Sequence, residues 1–148
     1  MSTNTEKYKQ LQESRLYETV LSFHDTLAKI SNQFRLLFGD YPRGACGSGS
    51  EMLGYYLQTR HAVDTTYCNG ETHYPRYQSH AWLEYGKIIV DITCCQFVDC
   101  PFPCPYVGID NSWHGPWNPE RRPIGQAIGG TCHWKPAYNK LLSELHGP

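Results

Sequence analysis

Apolar residues recur at helical spacing through the first quarter of the chain, where Leu11, Tyr17, Val20, Leu21, Leu27 and Ile30 fall near one stripe. This spacing predicts one long or two shorter helices from about Glu6 to Leu37, ended by Gly39, Asp40 and Pro42. The Gly-rich segment YPRGACGSGS then leads into EMLGYYLQ, a run of good helix formers, and predicts a second helix from Cys46 to about Thr59. Within it Cys46, Leu53 and Leu57 share an inward-facing stripe, which puts Cys46 at the N-terminal tip of a buried helix.

From Val63 the pattern turns to short runs of strand character, first near Asp64 to Cys68 and then in SHAWLEY and KIIVDIT, on either side of Gly86. A hairpin centred between Tyr85 and Gly86 sets Glu84 opposite Lys87, Trp82 opposite Ile89 and His80 opposite Asp91. The alternate positions Ala81, Leu83, Tyr85, Ile88, Val90 and Ile92 then form an apolar face of the kind that covers a core. Tyr-Gly is not a favoured two-residue turn, but a four-residue loop with the same centre keeps the pairing.

From Cys94 to Gly130 the chain is rich in Pro, Gly and Cys and reads as a late loop region, and after Pro136 a short helix through Leu141, Leu142 and Leu145 closes the chain. No internal repeat is present. The expected fold is therefore α+β: a single domain spanning residues 1–148, with N-terminal helices and the Cys46 helix packed on a small antiparallel sheet.

Composition narrows the partners more than it changes the fold. At 148 residues the chain can bury a core without disulfides or a metal to staple it, and its eleven Tyr and four Trp suit a protein with a cleft. The formal net charge is −1 and the cations are scattered, which argues against a nucleic-acid or anionic-membrane partner. The polar start MSTNTEKYKQ leads into no apolar h-region, and no stretch approaches the roughly 20 apolar residues of a spanning helix. Seven Cys is an odd number that a secreted disulfide framework explains poorly, so the expectation is a cytoplasmic protein with mostly free thiols.

The candidate chemistry gathers on three of these elements. A helix N-terminus and an adjacent imidazolium both stabilise a thiolate, so Cys46 is the candidate nucleophile, with Gly44 and Gly47 leaving room for a substrate backbone. Backbone N–H groups at Gly47 and its neighbours can receive an oxyanion. His80 is the candidate acid and base, and Asp91, across the hairpin, is placed to hold its tautomer. Gln96, just beyond Asp91, is a candidate for orienting substrate or supporting the oxyanion, while Ser112, Trp113 and His114 are candidates for the lip of a cleft. Trp113 and Trp117 equally suit pinning the Pro-rich loop to the domain. A different chemistry is offered by Cys94, Cys95, Cys100 and Cys104, with Cys132 and His133, as soft ligands for zinc; the absence of paired C-x₂-C knuckles argues against it, and free thiols or one local disulfide fit better.

Over about residues 42–97, GACGSGSEMLGYYL, SHAWLEYG and IIVDIT resemble the Cys, His and Asp blocks of the papain-like and transglutaminase-like cysteine enzymes. SHAWLEYGKIIVDITCCQF is also similar to the His-Ala-Trp block of bacterial transglutaminase-like proteins, including leader peptidases of lasso-peptide pathways. The resemblance implies acyl transfer through a thioester on a peptide or protein amide, without a cofactor: a peptidase, amidase or deamidase, or alternatively an acyltransferase on the same triad. A non-catalytic zinc- or protein-binding module is the remaining alternative, suggested by the Cys-rich loop.

Overall fold

A computed structural model describes residues 4–39, 41–42, 44–73, 76–124 and 133–147, with side chains from Ser14 onward. Asp40, Cys132, the Leu11 side chain and the end of the loop region, residues 125–130, all used in the sequence-based expectations, lie outside these residues.

The first helix, α1 (Asn4–Ile30), runs through a short 3₁₀ turn (Ser31–Phe34) into α2 (Arg35–Phe38). Its buried stripe is Leu16, Val20, Phe23, Leu27 and Ile30, a clean alternation of three- and four-residue steps. Val20, Leu27 and Ile30 of the expected stripe are buried, whereas Tyr17 is exposed and Leu21 only half-buried, their places being taken by Leu16 and Phe23. Helix α3 (Cys46–His61) begins at the expected cysteine and ends at Ala62 in the left-handed conformation, whose N–H bonds back to Leu57. Its inner face carries Met52, Leu53, Tyr56 and Leu57, all buried against α1 and the sheet. Helix α4 (Lys135–His146) completes the helical layer, with Leu141 buried and Leu142 and Leu145 half-buried as its pattern predicts.

Five antiparallel strands form one sheet in the order β4-β3-β2-β1-β5: β1 (Thr66–Thr72), β2 (Gln78–Tyr85), β3 (Ile88–Asp91), β4 (Tyr106–Gly108) and β5 (Glu120–Pro123). The described structure is thus α+β, helices on a small antiparallel sheet. Strand β1 starts later and runs further than expected. The supposed loop region holds β4, β5 and two 3₁₀ turns at Cys94–Gln96 and Gly115–Trp117. Strands of three or four residues with Pro and Arg carry too little alternation to be read from sequence.

The central hairpin has the expected strands in a different register. Leu83 pairs with Val90, Glu84 with Ile89 and Tyr85 with Ile88, so the turn is Gly86-Lys87 and not Tyr85-Gly86. Gly86 takes φ of 58°, the left-handed conformation that a II′ turn requires at its first central residue. Glu84 therefore does not face Lys87, nor Trp82 Ile89, and His80 meets Asp91 diagonally rather than directly. The slip is by two residues, which leaves every side chain on its predicted face. Ala81, Leu83, Val90 and Ile92 are buried in the main core under the helices, with Tyr85 and Ile88 packed at its edge. On the opposite face Trp82, Ile89 and Cys68 form a second apolar cluster with Trp117, flanked by Phe97, Tyr106 and Trp113.

Candidate functional site

Helix α3 is pinned to β2 where Ser50 Oγ donates to the Ala81 carbonyl at 3.3 Å, and the segment before α3 is tied to the end of β3 by Tyr41 Oη donating to Ile92 O at 3.1 Å. These two bonds bring the N-terminal turn of α3 to the sheet beside His80. No side chain caps that turn, so its first N–H groups remain uncapped around Cys46 and Gly47. Gly47 faces the Tyr67 hydroxyl, 3.6 Å from where a Cβ would stand.

His80 Nε2 lies 2.6 Å from Asp91 Oδ2, the length of a charge-assisted bond, with both side chains fully buried. Asp91 Oδ1 accepts the backbone N–H of Thr93 at 3.0 Å. Burial opposes the charge on Asp91, but His80 and the donors from His114 hold its carboxyl well below the usual carboxylate range. Burial also opposes a charged His80, and the adjacent carboxylate overrides it and pushes the imidazole up to about 9. The Cys46 thiol shows the converse: burial raises it, but hydrogen bonding and charge from His80, with help from the Ala81 backbone, bring it below its ordinary value. His80 Nε2 is thus committed to the carboxylate, while Nδ1 is buried with no hydrogen-bond partner among the described residues. Cys46 keeps partial exposure while His80 and Asp91 have none.

A cage of rings seals the imidazole. Phe97 at 4.8 Å, Trp82 at 5.5 Å, Trp117 at 5.6 Å and Trp113 at 5.7 Å surround it, centroid to centroid. Gly70, directly across β1 from His80, makes room for this cage, because a Cβ there would stand 2.7 Å from both the Cβ and the carbonyl oxygen of Trp117. Phe97, Trp113 and Trp117 also wall a cleft of about 1040 Å³ whose lining includes Gln78 and Gln96. Gln96 Nε2 is buried and has no hydrogen-bond partner among the described residues. Cys46 is not among the residues lining that cleft. The structure therefore brings Cys46, His80, Asp91 and Trp113 together, keeps Gly47 beside the thiol, and sets Gln96 in the neighbouring cleft.

The residue underrated from sequence is His114. It is buried beneath the sheet face and not at a lip, with Nε2 2.7 Å from the same Asp91 oxygen that His80 engages. Only its place in NSWHGPW, next to two Trp, marked it in the sequence.

His80, Asp91 and His114 offer two imidazoles and a carboxylate within 4.8 Å of one another, a set found in metal centres. Their separations favour hydrogen bonds: ligands sharing a tetrahedral zinc at about 2.0–2.1 Å stand roughly 3.3 Å apart, whereas these contacts are 2.6 and 2.7 Å. In the Cys-rich loop Cys95 and Cys104 are joined in a disulfide, while Cys94 and Cys100 are free. The bridge occupies two of the four sulfurs that a zinc site there would use, and burial raises the Cys94 thiol further from thiolate.

Comparison with known proteins finds no matching family model, no matching curated protein and no matching solved structure. Among the described residues no helix is long and apolar enough to cross a membrane.

Proposed function

We propose that the chain is a cysteine-dependent hydrolase with a papain-like or transglutaminase-like core, acting in the cytoplasm on a peptide or side-chain amide. What supports this reading is a buried imidazole bonded to a buried carboxylate, with a partly exposed thiol near enough that the imidazole's charge lowers it and imidazole and thiol both shift toward their charged forms. Scattered cations and a cleft walled by aromatic rings favour a peptide or protein partner over a nucleic acid.

The reaction starts from the Cys46 thiolate and the His80 imidazolium. The sulfur attacks the amide carbon, a C–S bond forms, and the carbonyl electron pair moves onto oxygen, where N–H groups of the first turn of α3, Gly47 among them, receive the charge. Collapse breaks the C–N bond as His80 delivers its proton to the departing nitrogen, leaving a thioester. Water then attacks, His80 takes its proton, and the C–S bond breaks to release the acid and restore the ion pair. Asp91 keeps the ring oriented with Nδ1 toward the sulfur. Gln96 and Trp113 supply a donor and a flat surface for the substrate chain in the adjoining cleft.

Incubating the protein with a mixed peptide library and reading products by mass spectrometry tests this. Cleavage or a deamidation shift that disappears in Cys46→Ala, whose fold is intact by circular dichroism, is expected. Incorporation of an added primary amine identifies the acyltransferase on the same residues. No product from any peptide, combined with alkylation of Cys46 no faster at pH 6.5 than that of the buried Cys68, sinks the catalytic reading and leaves a binding module.

A further inference from the structure

We propose that His114 is a positioning residue of this site, a second imidazole whose Nε2–H shares Oδ2 of Asp91 with His80 and fixes the carboxylate in the orientation His80 requires. The inference rests on Cys46 and His80 being the reacting pair. An ionised carboxylate only accepts hydrogen bonds, so both nitrogens, at 2.6 and 2.7 Å, must carry the hydrogen. With Thr93 N–H on Oδ1, three donors from three separate segments triangulate the group. Its rotation about the Cβ–Cγ bond would break all three bonds at once.

The consequence for His80 is chemical as well as geometric. A neutral imidazole has one N–H, and holding it on Nε2 leaves the Nδ1 lone pair for the proton of the thiol. Remove His114 and Oδ2 keeps a single side-chain donor, His80. The carboxylate can then turn toward other partners, and the tautomer that serves Cys46 is no longer enforced.

The way His114 is held supports this role. Its ring packs edge-on against Trp113 at 4.8 Å and Trp82 at 4.9 Å, and lies parallel to Tyr106 at 5.8 Å and Phe102 at 6.2 Å. The backbone beneath it is fastened by Gly115 N–H to Asn111 O at 2.8 Å and Trp117 N–H to His114 O at 3.2 Å. Among the described residues its buried Nδ1 has no partner, and the polar contact found for the ring is the one to Asp91. A histidine kept only for packing its loop has no need to aim that nitrogen at a carboxylate on β3. The titratable groups facing the assembly are Cys46 from α3, Tyr41 from the segment before it, Cys94 and Cys100 from the turn after β3, Tyr106 from β4 and Asp110 from the loop that carries His114.

The test is the pH profile of Cys46 alkylation by iodoacetamide, read peptide by peptide, in wild type, His80→Ala, His114→Ala and His114→Gln. In His114→Ala the acid limb is expected to move to higher pH, with at least a tenfold slower reaction at pH 6, and His114→Gln, whose amide can donate from nearly the same place, is expected to recover most of it. Unchanged limbs in both His114 variants, with a limb that His80→Ala moves up toward the ordinary thiol range, overturn the role of His114 and leave the Cys46–His80 pair standing. A wild-type limb no lower than the ordinary thiol range, about pH 8.5, removes the pair itself. If His114→Ala does not fold, ¹⁵N imidazole NMR of the wild type decides: protons on Nε2 of both His80 and His114 support the proposal, and an Nδ1–H tautomer of His114, or a stoichiometric metal bound through these rings, overturns it.

Discussion

Replacing Asp91 by Asn should flatten the pH dependence of stability, and the size of the effect follows from the burial of the pair. His80 is pushed from 6.5 to about 9 in the folded protein, which at about 1.36 kcal/mol for each tenfold is on the order of 3 kcal/mol. A raised folded value contributes stability that is complete below pH 6.5 and lost as pH climbs through about 9. The thiol works in the opposite sense, since its lowered value adds stability as pH rises, so the measurement belongs in a Cys46→Ala background. There, urea unfolding followed by tryptophan fluorescence from pH 6 to 9 should show a fall somewhat below about 3 kcal/mol, because Cys46 supplies part of the rise at His80, and the added Asp91→Asn should cut that fall to under about 1 kcal/mol. The buried thiols Cys68 and Cys94, whose values are raised, add their own loss near the top of the range in both proteins, so the difference between the two curves is the quantity to read. Equal slopes would refute the assignment of the carboxylate as the source of the histidine's charge.

Two further substitutions probe what surrounds the pair. Gly70→Ala puts a Cβ at 2.7 Å from the backbone oxygen of Trp117, which cannot yield as a flexible side chain would; a loss of roughly 1–3 kcal/mol and a changed tryptophan emission spectrum are expected. Leu57→Ala, in the core on the far side of the sheet from the aromatic cage, should cost roughly 2–5 kcal/mol in urea unfolding while leaving the acid limb of Cys46 alkylation where it is in wild type.

Local chemistry and period determined much of this protein without any tertiary information. The start of α3 at Cys46 follows from a glycine-rich segment running into strong helix formers, and the two faces of the β2–β3 hairpin follow from a side-chain period of two. That period is also why His80 and Asp91 were placed on one face although their register was wrong: a slip of two residues changes partners and leaves faces alone. Other features were beyond any local reading. Strands β4 and β5 are strands because β3 and β1 offer them unpaired backbone groups, and their three or four residues carry no pattern of their own. Trp117 covers His80 because Gly70 lies across the sheet from that histidine, a pairing between residues ten apart in sequence that only the β1–β2 register creates. The convergence of His114 on Asp91 is the strongest case, since the two are 23 residues apart and joined through a loop whose course is set by aromatic packing. A sequence records which side chains can donate and accept, whereas the folded chain alone decides which of them share one buried oxygen.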